Sequence, residues 1–141
     1  MNIEQLIITS SIFVPAFLGH CIGDYLLQSK WMALTKTSRG ATGMIACTIH
    51  VLLYATAVCA MIQVFDWRVW LAVAIPHWII DRFSIADKWL RIIRGRTPEG
   101  AARLGDLHRE FHIAFWALVY TAVDNMLHLL CLWFTTLIMF T

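Results

Sequence analysis

Charge is what this chain has least of. Only 14% of its 141 residues are Asp, Glu, Lys or Arg, while 60% are hydrophobic, and the mean hydropathy is +0.68. A soluble domain is about 45–50% apolar and about 25% charged. The balance therefore excludes an ordinary soluble globule and points to a single integral membrane domain over residues 1–141. The net charge of +2 is too small to suggest a nucleic-acid partner. The opening Met-Asn-Ile-Glu lacks a basic segment, so no cleaved signal peptide is expected. The four cysteines, Cys21, Cys47, Cys59 and Cys131, form no C-x-x-C pair, and all fall inside apolar runs. That fits small buried hydrophobes, with Cys21 the best candidate for a thiolate ligand because it neighbours His20. A Gly-rich phosphate loop and a Ser-x-x-Lys pattern are both missing, which leaves nucleophilic serine chemistry little support. Strand alternation and low-complexity segments are missing too.

The apolar residues that are present fall into four runs, which predict an all-α membrane four-helix bundle. The expected spans are 3–28, 41–65, 67–87 and 117–139. Pro76 is expected to kink the third of them just before His77. Lys30, Lys36 and Arg39 populate the first connection, and Lys88, Arg91, Arg94, Arg96, Arg103 and Arg109 the third. Basic loops stay in the cytoplasm, so both termini are expected outside, in a bacterial inner membrane. Thr97-Pro98-Glu99 has the pattern of a helix start, with Thr at the N-cap and Pro at the first helical position. It predicts a short interfacial helix running toward His112 in the third loop. The basic loops also suit anionic-lipid contacts. His108 and His112, four apart, read as a solvated amphipathic face at the inner interface.

Within these apolar runs sit residues that cost free energy there. An Asp at the centre of a membrane helix costs about 2.5–3.5 kcal/mol on insertion scales. His20 and Asp24 are four apart, so they share one helix face, and Gln28 extends the stripe by a turn. The pair recurs as His77 and Asp81, and in reverse order as Asp124 and His128. Spans one and three run in the opposite direction to span four. The reversal therefore places all three pairs the same way up in space, with imidazoles in one layer and carboxylates nearer the cytoplasm. At 1.5 Å rise per residue, His50 reaches the same depth.

Imidazole nitrogen with carboxylate oxygen is the ligand mix of zinc, and of manganese or iron. The candidate metal ligands are His20, Asp24, His50, His77, Asp81, Asp124 and His128. They are too many for one tetrahedral ion and enough for one or two divalent ions, zinc first. Two ions together lower the pKa of water and clamp both oxygens of a displacement at phosphorus. Ligands must be deprotonated to bind, so metal occupancy should fall through the histidine range near ~6.5.

The motifs His20-x-x-x-Asp24-x-x-x-Gln28, His50, His77-x-x-x-Asp81 and Asp124-Asn125-x-x-His128 resemble those of a family of unknown function found in small bacterial and phage membrane proteins. In that pattern Phe is expected where this chain has Tyr25, and Gln where it has Asn125. The pattern is similar to that of membrane-bound metal-dependent hydrolases, which have been likened to zinc-dependent phospholipase C. The resemblance implies metal ligation at these residues and, by looser analogy, a lipid or phosphoester substrate. The expectation is a metal-dependent hydrolase acting on a phospholipid or lipid-linked phosphoester at the cytoplasmic leaflet. Asp24 or Asp124 would be the base, and Gln28, Lys30, Arg39 and Arg82 would meet the anionic head group. Membrane lipids are the expected partners, and the small size makes a homodimer a further expectation. Two rivals stand beside this: a metal-ion or proton transporter using the same residues, and a non-catalytic membrane interaction protein with a structural metal.

Overall fold

Helix ends are where this sequence is most explicit. Asp66 accepts the backbone N–H of Arg68 at 2.9 Å and caps one helix. Thr97 accepts the N–H of Gly100 at 2.9 Å and caps another, as its pattern predicts. Gly95, at φ 58°, closes a third, with the N–H of Arg96 returning to the Leu90 carbonyl at 3.1 Å. The computed structural model describes residues 3–103 and 108–140. Among them there is no strand. The α-helices are α1 (Ile3–Cys21), α2 (Lys30–Thr35), α3 (Ala41–Ile62), α4 (Trp67–Arg82), α5 (Ile85–Arg94), α6 (Pro98–Arg103) and α7 (Arg109–Phe140).

Four of these pack in a ring: α1 on α3, α3 on α4, α4 on α7, and α7 back on α1. The core holds Ala16, Val51, Tyr54, Ala55, Val58, Val73 and Leu132. Outside it, large apolar side chains such as Ile7, Val14, Leu52, Ile75, Phe134 and Ile138 are exposed, while His20, His50, His77, Asp81 and His128 are buried. Three segments are long and apolar enough to cross a membrane, Ile3–Leu26, Ala41–Ile62 and Arg109–Phe140. Trp67–Arg82 joins them if counted with Ile85–Arg94, from which it is bent by 56°.

Several boundaries differ from those expected. The first helix does not run evenly to Gln28. It ends in a π-helical turn, Ile22–Leu26, with the N–H of Leu27 reaching the Ile22 carbonyl at 3.0 Å. The loop that follows holds the short helix α2, capped by Ser29. The second helix stops at Ile62 rather than Phe65 because Gln63 is left-handed, at φ 57°. The third stops at Arg82 rather than Asp87, since Ser84 at φ 49° turns the chain. The break thus falls after Arg82, and α4 runs on through Pro76. Pro76 has no N–H for the Ala72 carbonyl one turn back. The Thr135 hydroxyl on α7 donates to that carbonyl instead, at 3.3 Å. The fourth helix starts at Arg109, not at residue 117, and its 32 residues give it a length of about 48 Å. The interfacial helix expected over 97–112 is α6 alone as far as Arg103, and residues 104–107 lie outside the described residues.

Candidate metal centre

Two glycines set the distance between α1 and α3. A Cβ on Gly19 would stand 2.6 Å from the Val58 Cα, and one on Gly23 would stand 2.6 Å from the Tyr54 ring. Small residues four apart let helix backbones approach closely. Here they flank His20 and Asp24 and bring both against His50 and Tyr54. The π-helical turn carries Asp24 itself. Such turns insert one residue into the helix and re-aim side chains, and they are frequent at functional sites.

Four donor atoms converge. His50 Nε2 lies 3.0 Å from His77 Nε2, 3.3 Å from Asp24 Oδ1 and 3.2 Å from Asp81 Oδ2. His77 Nε2 lies 3.5 Å from Asp24 Oδ1 and 3.3 Å from Asp81 Oδ2. An ion with bonds of about 2.0–2.1 Å places tetrahedral ligand atoms about 3.3–3.4 Å apart. Five edges of such a tetrahedron are therefore present, built from α3, α4 and the π turn. Two imidazole lone pairs 3.0 Å apart, each also facing carboxylate oxygen, need a proton or a cation between them. Asp24 Oδ1 is buried with no hydrogen-bond donor, which suits a metal ligand.

His128 adds a fifth donor. Its Nδ1–H donates to the Asp124 backbone carbonyl at 2.8 Å. That fixes the tautomer with a bare Nε2, the usual state of a ligating histidine. Nε2 is buried and unpartnered, 3.7 Å from Asp81 Oδ1. Asp24, His77 and His128 form one group able to hold an ion, and His50, His77 and Asp81 another.

The remaining expected residues sit around this cluster. His20 Nδ1 lies 3.3 Å from Asp24 Oδ2 and 3.2 Å from the Tyr54 hydroxyl. Its Nε2 donates to Asn125 Oδ1 at 3.1 Å. His20 thus stands against the far oxygen of Asp24, outside both groups. Asp124 also stands outside them, 3.9 Å from His128 Nδ1. It faces a recess of about 250 Å³ together with Asp24 and Gln28. Arg82 donates to the Lys36 carbonyl at 3.3 Å, while Lys30 and Arg39 are exposed and do not line the recess. Cys21 is half-buried and free. His108 is exposed. His112 lines a separate cleft of about 510 Å³ with Arg96, Phe115 and Trp116.

Three residues at the centre carry no expectation from the motifs. Lys36 Nζ donates to Asp81 Oδ2 at 2.8 Å. Nothing in its loop position signals this. Tyr54 stacks on His77 with ring centroids 3.6 Å apart, and Tyr120 lines the recess. These two were findable, since Tyr54 follows His50 by four and Tyr120 precedes Asp124 by four. The two departures from the resembled motifs also meet: the Asn125 amide donates to the Tyr25 hydroxyl.

Residues 12–141 match the family described as "Protein of unknown function (DUF3307)". No curated protein and no solved structure matches the chain.

Proposed function

The chain belongs to this DUF3307 family, and on that premise we propose that it is an integral membrane four-helix bundle acting as a metal-dependent hydrolase. Its substrate is a phospholipid or lipid-linked phosphoester at the cytoplasmic leaflet of a bacterial inner membrane. The observation that carries the reading is the set of four donor atoms joined by five approaches of 3.0–3.5 Å, beside a recess that reaches Asp24. The donors are those of zinc, manganese or iron. Apolar helix surfaces facing outward and ionisable groups facing inward suit a lipid surround.

In this reading Asp24, His50, His77, Asp81 and His128 hold one or two divalent ions. A bound ion supplies Lewis acidity, lowering the pKa of water and neutralising charge at phosphorus. Asp24 is engaged as a ligand, so the base is Asp124, which faces the recess outside both groups. His20 stands behind Asp24, and Tyr54 stacks on His77. The recess that reaches Asp24, about 250 Å³, is the larger of the two spaces bordering the cluster, which suits a substrate site. One observation favours a structural metal: the four close protein donors already supply five of a tetrahedron's six edges, as a closed zinc site would.

The test is elemental analysis of purified wild type, His50→Ala and Asp81→Ala, followed by a phospholipid panel in liposomes. The proposal expects metal in the wild type, its loss in both variants, and head-group release that a chelator abolishes. Equal metal in all three proteins overturns the ligand set. Metal without chelator-sensitive cleavage leaves the structural-metal reading.

A further inference from the structure

The recess beside the metal centre has chemistry of its own. Its walls come from the end of α1, from α2 and from α7. The Gln28 side chain lines it, and its Nε2 is buried with no hydrogen-bond acceptor. Lys36 lines it as well. An ammonium carries three donors, and Asp81 engages one of them. The hydroxyls of Tyr25 and Tyr120 add two more donors. This is a donor-rich cup waiting for acceptor oxygens. At about 250 Å³ it is smaller than the ~300–1,000 Å³ pockets that enclose drug-sized ligands. It holds a head group and excludes a tail. The tail has a surface to follow: Val14 and Leu18, four apart on α1, are both exposed.

Charge narrows the class. The wall carries the carboxylates of Asp24 and Asp124 against the single ammonium of Lys36. A phosphate with one negative charge is tolerated there better than a dianion. We propose that this recess is the subsite for the phosphodiester head group of an amphiphile, held by Gln28 and Lys36, with its apolar tail outside the cup. The proposal rests on the hydrolase reading for its consequence but is read out without it.

The experiment is lipid titration of the full-length protein in detergent, followed by native mass spectrometry, with metal removed by chelator in one arm and retained in the other. The probes are phosphatidylglycerol, a diester, phosphatidic acid, a monoester, and inorganic phosphate as competitor. The expected result is saturable phosphatidylglycerol binding, several-fold weaker phosphatidic acid binding, and no competition by phosphate at equal concentration. Gln28→Ala and Lys36→Met should each raise the apparent Kd about tenfold. Lys36→Met also removes the partner of Asp81, so Ala33→Trp serves as a second variant. Ala33 is exposed on α2 and lines the recess, and a Trp there fills the cup without deleting a polar group. Unchanged lipid binding in Gln28→Ala and Ala33→Trp, tighter binding of the monoester, or full competition by free phosphate each overturns the proposal. Gln28-dependent lipid binding in a protein that never holds metal would sink the hydrolase reading and leave the subsite standing. Metal binding with lipid binding insensitive to Gln28 would do the reverse.

Discussion

At the scale of single residues, the two kinds of histidine in this site should behave differently. His50 contributes Nε2 directly to the donor cluster, whereas His20 stands behind Asp24. Removing a ligand should abolish stoichiometric metal. Removing an outer-shell partner typically costs about 10–100-fold in affinity. His20→Ala should therefore retain metal at high free concentration and lose it on dilution, while His50→Ala is empty throughout; a zinc titration separates the two. Asp81 carries a further burden, since its loss would leave the Lys36 ammonium without the carboxylate it pairs with at 2.8 Å. Asp81→Ala should thus lower the thermal midpoint as well as the metal content, and Asp81→Asn should restore part of the midpoint without the metal. Protonation competes with metal for imidazole nitrogen. Occupancy is expected at neutral pH and should fall as the pH drops through the ordinary imidazole range; metal retained unchanged to pH 4 would mean that histidines are not the ligands.

At the scale of elements, the contact of α1 with α3 controls the site. Gly23→Ala puts a methyl group against the Tyr54 ring and backbone. Overpacking of this kind costs about 1–3 kcal/mol, and the separation it forces moves Asp24 from His50. A lowered midpoint together with weakened zinc binding is the expected outcome for Gly23→Ala, measured in one detergent; a midpoint and an affinity both equal to wild type would show that the approach is not tight. The junction of α4 with α7 makes a separate claim. Thr135→Val strands the Ala72 carbonyl that Pro76 has freed, at about 0.5–1.5 kcal/mol. Pairing it with Pro76→Ala should recover most of that loss, because the helix then supplies its own donor. If the double variant is no better than Thr135→Val alone, the hydroxyl is not compensating for the proline.

For the whole molecule, the topology follows from where the basic residues lie. The loop containing Arg39 and the stretch from Lys88 to Arg103 should face the cytoplasm, and the turn at Phe65 the outside. Phe65 is 83% exposed, and Thr37, in the loop that contains Arg39, is exposed as well. In a background with the four cysteines replaced, Phe65→Cys in intact cells should react with a membrane-impermeant maleimide, and Thr37→Cys only after permeabilisation. The opposite pattern would invert the molecule. The helix α5 adds a feature that the loop reading of this segment did not contain. Ala86 and Leu90 are buried against the protein, while Trp89, Ile92 and Ile93 are exposed beside Lys88, Arg91 and Arg94. That is the make-up of a helix lying in a membrane interface.

Local periodicity was enough to establish the all-helical class and to pick out the ionisable residues that the structure buries together. Four-residue spacing places His20 with Asp24, and His77 with Asp81, on one face of any α-helix, whatever packs against it. Thr97 and Pro98 announce their helix start for the same reason, since a cap acts within one turn. Which of the seven polar residues come together in one cluster was beyond that reach. Asp24, His50, His77 and Asp81 meet because Gly19 and Gly23 let α1 close on α3 and because a π turn shifts Asp24; the glycine spacing marks a close approach without naming the partner helix, and the extra residue in the turn leaves no mark. The partner of Asp81 was equally hidden. Lys36 is one of several cations in a polar connection, and only the packing of α2 on α3, with Arg82 holding the Lys36 carbonyl, brings its ammonium to the buried carboxylate.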